Sequence, residues 1–323
     1  VKTVLSLLVT SLALAPAAAA QDPVPSPATP APPAEATLTA RVASGLSYKG
    51  RPYVLKGDSV KVTGTLKSYV SGQKVLVELL RKGKKLSQDT VEVRSGGAFT
   101  ARVRAKRDGA LAVRVTHKYT PQQKRATTRL GLSAVVPSAH VGSHGAKVRL
   151  LQVGLSRLGY VTGHGSSFGG ATARSVIAFR KVNKMARTTS AKKKLYRMLF
   201  AGKGGFKLRY PSAGPNGKHV EFDWSRQVLV LARGGKPERI YHASSGKPST
   251  PTVFGTFHFN RRQAGTNHLG MVWTTYFYGG YAIHGYHSVP TYAASHGCIR
   301  VPIPNAHSIY RWLNLGDTIF VYH

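Results

Sequence analysis

The chain has 323 residues, 42% of them hydrophobic, and 34 glycines; this length and apolar content exclude a disordered polypeptide and leave room for two or three domains. Lys and Arg number 47 against 11 Asp and Glu, a net charge of +36, so the surface attracts polyanions. A single cysteine, Cys298, excludes an intrachain disulfide framework.

Lys2 precedes an apolar run from Val4 to Leu14, Pro16 breaks it, and Ala18-Ala19-Ala20 offers a small-residue cleavage site before Gln21. Residues 1–20 are expected to be an export signal, too short for a comfortable membrane span; an uncleaved N-terminal anchor is the alternative. Export changes the expected polyanion from nucleic acid to teichoic acids or anionic lipid headgroups. Interleaved aromatic and basic motifs are also missing, and no nucleic-acid partner is expected. Residues 21–35 hold six prolines in fifteen positions, an extended, semi-rigid spacer.

Over residues 36–136 the apolar period is two. Ser59 to Leu66, Lys74 to Leu79 and Ala110 to Val115 alternate polar and apolar residues, separated by Gly- and Lys-rich turns. A small immunoglobulin-like β-sandwich is expected, with no titratable cluster and no specific ligand. Over residues 138–200 the period becomes helical: Val148, Leu151, Leu155 and Leu158 share one face, and Gly159 ends it. A second helix is expected from near Thr172, carrying Val176, Ile177 and Phe179, and a third around Leu195 to Leu199, together a compact three-helix bundle. The order Val148-Arg149-Leu150-Leu151-Gln152, Leu155, Leu158-Gly159-Tyr160, Phe168-Gly169, Thr172, Val176 and Phe179 resembles the peptidoglycan-binding helical repeat of cell-wall hydrolases. Phe168 and Arg180 stand where many members carry an acidic residue and a glutamine.

Ala201 to Gly205 is a linker whose glycine spacing does not fit a phosphate-binding loop. Residues 206–323 return to strands: Gln227 to Ala232, Arg239 to Ala243, Gly255 to Phe259, Tyr281 to His284 and Thr318 to Tyr322, with a helix from about Pro304 to Leu313. A mainly β, multidomain chain is the expected fold class.

The chemistry is concentrated between Tyr281 and Arg300. A strand delivers His284-Gly285, a loop with Pro290 follows, and a small-residue turn presents Cys298 between Gly297 and Ile299. A nucleophilic cysteine needs a base or cation beside it, and backbone N–H groups to hold an oxyanion. His284 and His296 are candidates for the first, the backbone at Gly297 for the second. The rival reading is a metal set of His284, His287, His296 and Cys298. Hydrolytic zinc chemistry also needs a carboxylate, and no acidic residue lies between 239 and 316. The same gap weakens a cysteine–histidine–aspartate triad and points to a dyad. A buried, inert cysteine is the remaining alternative.

Ser295-His296-Gly297-Cys298-Ile299-Arg300, preceded by Ile283-His284-Gly285, resembles the signature of the YkuD-type L,D-transpeptidases. Arg226 to Leu231, Ser244-Ser245-Gly246-Lys247, Thr250-Pro251-Thr252, Gly255-Thr256-Phe257 and Gly316-Asp317-Thr318 resemble its supporting segments, so the likeness covers most of 206–323. Val253-Phe254 stands where a proline often precedes the glycine, and Ser295 follows His284 more closely than in many members. The resemblance implies a β-rich catalytic domain with Cys298 as nucleophile and His284 as general base, oriented by a carbonyl of the Gly285 region. It assigns His296 and the backbone around Gly297 and Cys298 to the oxyanion site. Ser295 would meet substrate, Arg300 would meet a donor carboxylate or support the turn, and Trp273, Tyr276 and Tyr286, with Phe277, Tyr278 and Tyr292, would in part wall the groove. The implied reaction releases D-alanine from a stem tetrapeptide through a Cys298 thioester and forms a 3→3 cross-link. With water as acceptor the product would be that of a carboxypeptidase, and a non-catalytic wall-binding protein is the third reading. No cofactor or metal is expected. The expected partners are peptidoglycan stem peptides and glycan, anionic wall polymers, and β-lactams of the carbapenem class as covalent inhibitors.

Overall fold

The computed structural model describes residues 1–7 and 31–323. The expected export signal from Leu8 onward, and the proline-rich stretch as far as Pro30, lie outside the described residues. Among the described residues no helix is long and apolar enough to cross a membrane.

The fold is mainly β, with four α-helices among the described residues. Its first part contains β1 (Leu38–Val42), β2 (Leu46–Tyr48), β3 (Arg51–Leu55), β4 (Ser59–Leu66), β5 (Lys74–Arg81), β6 (Lys84–Glu92), β7 (Ala98–Arg104), β8 (Gly109–His117) and β9 (Ala126–Val135). They form two sheets, β1-β4-β7 and β2-β3-β9-β8-β5-β6. Alternation determines which face each strand buries: Val60 and Val62 of β4, Val75 and Val77 of β5, and Val113 and Val115 of β8 meet in one core between the sheets.

Three helices follow: α1 (Ala146–Arg157), α2 (Gly170–Val182) and α3 (Lys193–Phe200). Val148, Leu151 and Leu155 of α1, Val176 and Phe179 of α2, and Leu195 and Leu199 of α3 are buried together. Their core does not stop at the helices. It continues into Val228, Val230, Ala232 and Ile240 of the next sheet, and Ile240 exchanges backbone hydrogen bonds with Gly159 and Val161 just after α1 (2.8 and 3.2 Å).

The remaining elements are β10 (His219–Asp223), β11 (Val228–Arg233), β12 (Lys236–His242), β13 (Gly255–His258), β14 (Arg261–Thr266), β15 (Val272–Tyr278), β16 (Tyr281–Tyr286), β17 (Ile299–Pro302), α4 (Ile303–Trp312) and β18 (Thr318–Tyr322). One sheet runs β12-β11-β10-β18-β13, the other β14-β15-β16-β17. Phe222, Leu229, Phe277, Ile283, Ile299 and Ile309 belong to the core they share with α4. β16 and β17 are parallel, with His284 opposite Arg300. The chain must therefore cross over between them, and that crossover carries the cysteine turn.

Candidate active site

A cleft of about 540 Å³ opens beside β16, bordered by His284, Tyr286, Ser295, His296, Cys298 and Arg300 from the crossover side, and by Arg261, Leu269, Met271, Tyr276 and Gly280 from β14, β15 and their turns. No carboxylate is among the side chains that border it.

His284 is 3% exposed, and its Nδ1 lies 3.0 Å from the Gly285 carbonyl oxygen. A carbonyl oxygen only accepts, so Nδ1 carries the proton and Nε2 keeps its lone pair. Burial, opposed by the Gly285 carbonyl and reinforced by the Arg300 charge, brings the His284 pKa down to about 4. Burial raises the Cys298 thiol above the ordinary cysteine value, against a backbone hydrogen bond at Ala282 and the Arg300 charge, which lower it. The thiol donates to the Gly280 carbonyl at 3.5 Å. At neutral pH the cleft thus holds a protonated thiol and a neutral imidazole. A protonated thiol is also a slow target for oxidation.

The cysteine turn is held from within and from a second segment. Ser295 Oγ donates to the Cys298 carbonyl at 2.5 Å and accepts the Gly297 N–H at 3.1 Å. Thr252 Oγ1 donates to the Gly297 carbonyl at 2.6 Å and accepts the Gly246 N–H at 2.9 Å. Thr250 Oγ1 and the Lys247 N–H both reach the Ser295 carbonyl, at 3.1 and 3.0 Å. Gly246 is glycine because a Cβ there would sit 2.2 Å from the Thr250 carbonyl oxygen. Gly297 has φ +120, and its Cβ would meet the Tyr281 ring at 2.7 Å, so no other residue fits without moving the turn.

These contacts correct three expectations. The Gly297 N–H is engaged by Ser295 and is not open to an oxyanion; among the described residues the Cys298 and His296 N–H groups donate no hydrogen bond. Ser295 borders the cleft, but it is 1% exposed and its hydroxyl closes the turn, so it supports the cysteine and does not meet substrate. Trp273 is not on the cleft: its ring packs 4.5 Å from His307 and 5.1 Å from Tyr310 of α4. Phe277 is core, while Tyr278 and Tyr292 are exposed and do not border the cleft.

Tyr276 and Tyr286 do wall it, each beneath a guanidinium: Arg261 lies 3.8 Å over the Tyr276 ring and Arg300 4.1 Å over that of Tyr286. His296 is exposed at the rim. Among the described residues no three His, Cys, Asp or Glu side chains are placed to share a metal ion, so the rival set of His284, His287, His296 and Cys298 is not assembled.

Arg261, Leu269 and Met271 escaped the sequence reading. Their signal was the run Val272 to Tyr278, rich in β-branched and aromatic residues, followed by Gly279-Gly280 and a further strand. That is a hairpin pattern, and it brings β14 and β15 to the cleft.

A family model described as the L,D-transpeptidase catalytic domain, YkuD, matches residues 217–321. The crystal structure of the L,D-transpeptidase (residues 123–326) from Xylanimonas cellulosilytica is 30% identical over 58% of this chain and 98% of that one, with a TM-score of 0.52. An L,D-transpeptidase from Stackebrandtia nassauensis is 18% identical over 57% of this chain and 95% of its own, with a TM-score of 0.37. The catalytic domain of the E. faecium enzyme acylated by ertapenem is 25% identical over 32% and 96%, with a TM-score of 0.28. No curated protein sequence matches the chain.

Proposed function

We propose that this chain, which belongs to the L,D-transpeptidase family, is a cysteine-dependent acyltransferase acting on peptidoglycan stem peptides outside the cytoplasm. The observation that carries the reading is the Cys298–His284 pair. The imidazole is fixed by the Gly285 carbonyl so that its unprotonated nitrogen is the one left over, on a cleft shared with the thiol and free of carboxylates.

In this reading the Cys298 proton passes to His284 Nε2 as the sulfur adds to the carbonyl between the third stem residue and its terminal D-alanine. The oxyanion meets the Cys298 N–H, with the His296 N–H beside it. The C–N bond breaks, His284 returns its proton to the leaving amine, and a thioester remains. An amine of a second stem, deprotonated by His284, attacks the thioester, releases the thiol and forms the 3→3 cross-link. Arg261 and Arg300 give the cleft an uncompensated positive charge suited to substrate carboxylates.

Residues 1–20 support export, residues 138–200 support a hold on the wall polymer, and residues 36–136 act as a spacer. The +36 charge favours anionic wall polymers as further contacts. Incubation with tetrapeptide-rich sacculi followed by muropeptide analysis tests the reading: 3→3 dimers are expected. Tripeptides alone would identify water as acceptor and overturn the transferase assignment. Mass measurement with a carbapenem should show one adduct that Cys298→Ala abolishes.

A further inference from the structure

The crossover that links the His284 strand to the cysteine turn is gripped from outside the catalytic sheets. Lys181, on α2, is 2% exposed. Its Nζ lies 3.0 Å from the Gln227 carbonyl, 2.8 Å from the Ala243 carbonyl and 2.7 Å from His242 Nδ1. His242 Nε2 lies 2.9 Å from the Val289 carbonyl, in the crossover itself. That carbonyl can only accept, so Nε2 bears the proton and Nδ1 is an acceptor. All three partners of Lys181 are therefore acceptors, one for each N–H of an ammonium. Burial pulls the Lys181 pKa down to about 6, but a neutral amine would turn its lone pair against one of these acceptors, and the geometry favours keeping the proton. Burial, and then the Lys181 charge, hold His242 at about 3, so the imidazole stays neutral and the relay from Lys181 to Val289 is intact at neutral pH.

A second cation from the same helical region holds the crossover two residues further on. Arg187, after α2, donates to the Thr291 carbonyl and, at 3.3 Å, to that of Ser225. The residues after Ala243 continue the grip: Ser244 Oγ donates to the Tyr292 carbonyl at 2.6 Å, and the Ser245 carbonyl accepts the N–H groups of Ala294 and Ser295, both at 2.8 Å. From Val289 to Ser295 the crossover is thus fastened to Lys181, to Arg187, or to the strand end that Lys181 holds. A buried cation is costly to desolvate, and the acceptors that offset this cost come from the catalytic part of the chain, not from the helices.

We propose that Lys181 and Arg187 are positioning residues for Cys298, and that the helical region 138–200 is a working part of the catalytic centre as well as any wall anchor. This rests on Cys298 as the nucleophile. The test uses the full chain with Lys181→Met, Arg187→Ala, Arg187→Lys and, as a control on the exposed surface of the same region, Lys184→Ala. Hydrogen–deuterium exchange in residues 287–298 is expected to rise about tenfold in Lys181→Met and less in Arg187→Ala, while Val60 to Leu66 stays protected. Arg187→Lys should recover part of the protection, and Lys184→Ala should match the wild type. Carbapenem acylation should slow with the crossover's loosening, through the bond-forming step and not through initial binding.

Wild-type exchange in 287–298 for both Lys181→Met and Arg187→Ala overturns the proposal, as does loosened exchange with undiminished acylation. If Lys181→Met loses protection throughout the chain, Arg187, an exposed side chain, decides the matter. A wild-type chain that is never acylated would instead overturn the function proposed above, and the exchange data would still decide whether the cations hold the crossover.

Discussion

Two buried histidines, His284 at the cleft and His242 at the junction with the helices, start from the same chemistry. Each is almost inaccessible, each gives one ring N–H to a backbone carbonyl, and burial keeps each neutral at pH 7. They differ in what faces the second nitrogen. At His242 it is an ammonium, which uses up the lone pair. At His284 it is a cleft shared with a thiol. A buried imidazole is a strut when both nitrogens are engaged and a base when one is left over; the motif around His284 marks it as a candidate base, while nothing local marks His242 as a strut.

The largest expected effect separates the two directly. His284→Gln should lower the acylation rate by about 10²–10⁴-fold, the contribution of a positioned general base. His242→Gln should lower it by about tenfold or less, because it disturbs only the position of the crossover. Equal losses, measured as acylation rates on folded protein, would break the comparison.

Acid should sharpen it next. Both folded-state values, about 4 and about 3, lie below the ordinary histidine value of 6.5. Below pH 6.5 the unfolded chain therefore binds protons that the folded chain refuses, and stability falls as the pH drops. The slope per histidine is at most about 1.4 kcal/mol per pH unit. His284 stops contributing near pH 4 and His242 near pH 3. Urea unfolding between pH 7 and pH 4 should show the decline, and His242→Asn should flatten part of it. A stability independent of pH in this window would contradict the neutral, buried state of both rings.

Gly297→Ala tests the cleft's geometry without touching its titratable groups. The residue sits at φ +120, and a Cβ would meet the Tyr281 ring at 2.7 Å; strain of this kind costs about 1–3 kcal/mol. A lowered Tm with slowed acylation is the expected result, and wild-type values for both would show that the turn is not so constrained.

How much of this was legible follows from the range of each contact. Strands such as Ser59–Leu66 and Thr318–Tyr322, and the helix Ala146–Arg157, appear in the sequence because their burial follows a local period. The hexapeptide Ser295 to Arg300 was equally visible, since the hydrogen bonds among Ser295, Gly297 and Cys298 stay inside it. The purpose of Thr250 and Thr252 was not visible, because the carbonyls they hold lie 45 residues away. Nothing in the sequence near Lys181 sets it apart among the 47 Lys and Arg residues; only the packing of α2 on β12 turns it inward. Trp273 misled because β15 is irregular at that point, with Trp273 at φ 51 and a register shift between Val272 and Thr275; Tyr276 faces the cleft, and Trp273 faces α4.

The smallest expected effect concerns the cleft's own cations. Arg261 stacks over Tyr276 at 3.8 Å, and among the described residues it has no carboxylate partner. With Arg300 it leaves the cleft positive where substrate must lie. An exposed guanidinium meeting a carboxylate contributes about 0.2–1 kcal/mol. Arg261→Gln should therefore raise KM for a stem peptide with free carboxylates by about two- to fivefold and leave kcat unchanged. Because exposed charges are screened within about 10 Å at 0.1 M salt, the gap between variant and wild type should narrow as salt is added, whereas the His284→Gln defect should not. A KM shift that persists in high salt, or a fall in kcat, would mean that Arg261 shapes the cleft through Tyr276 and does not attract the substrate by charge.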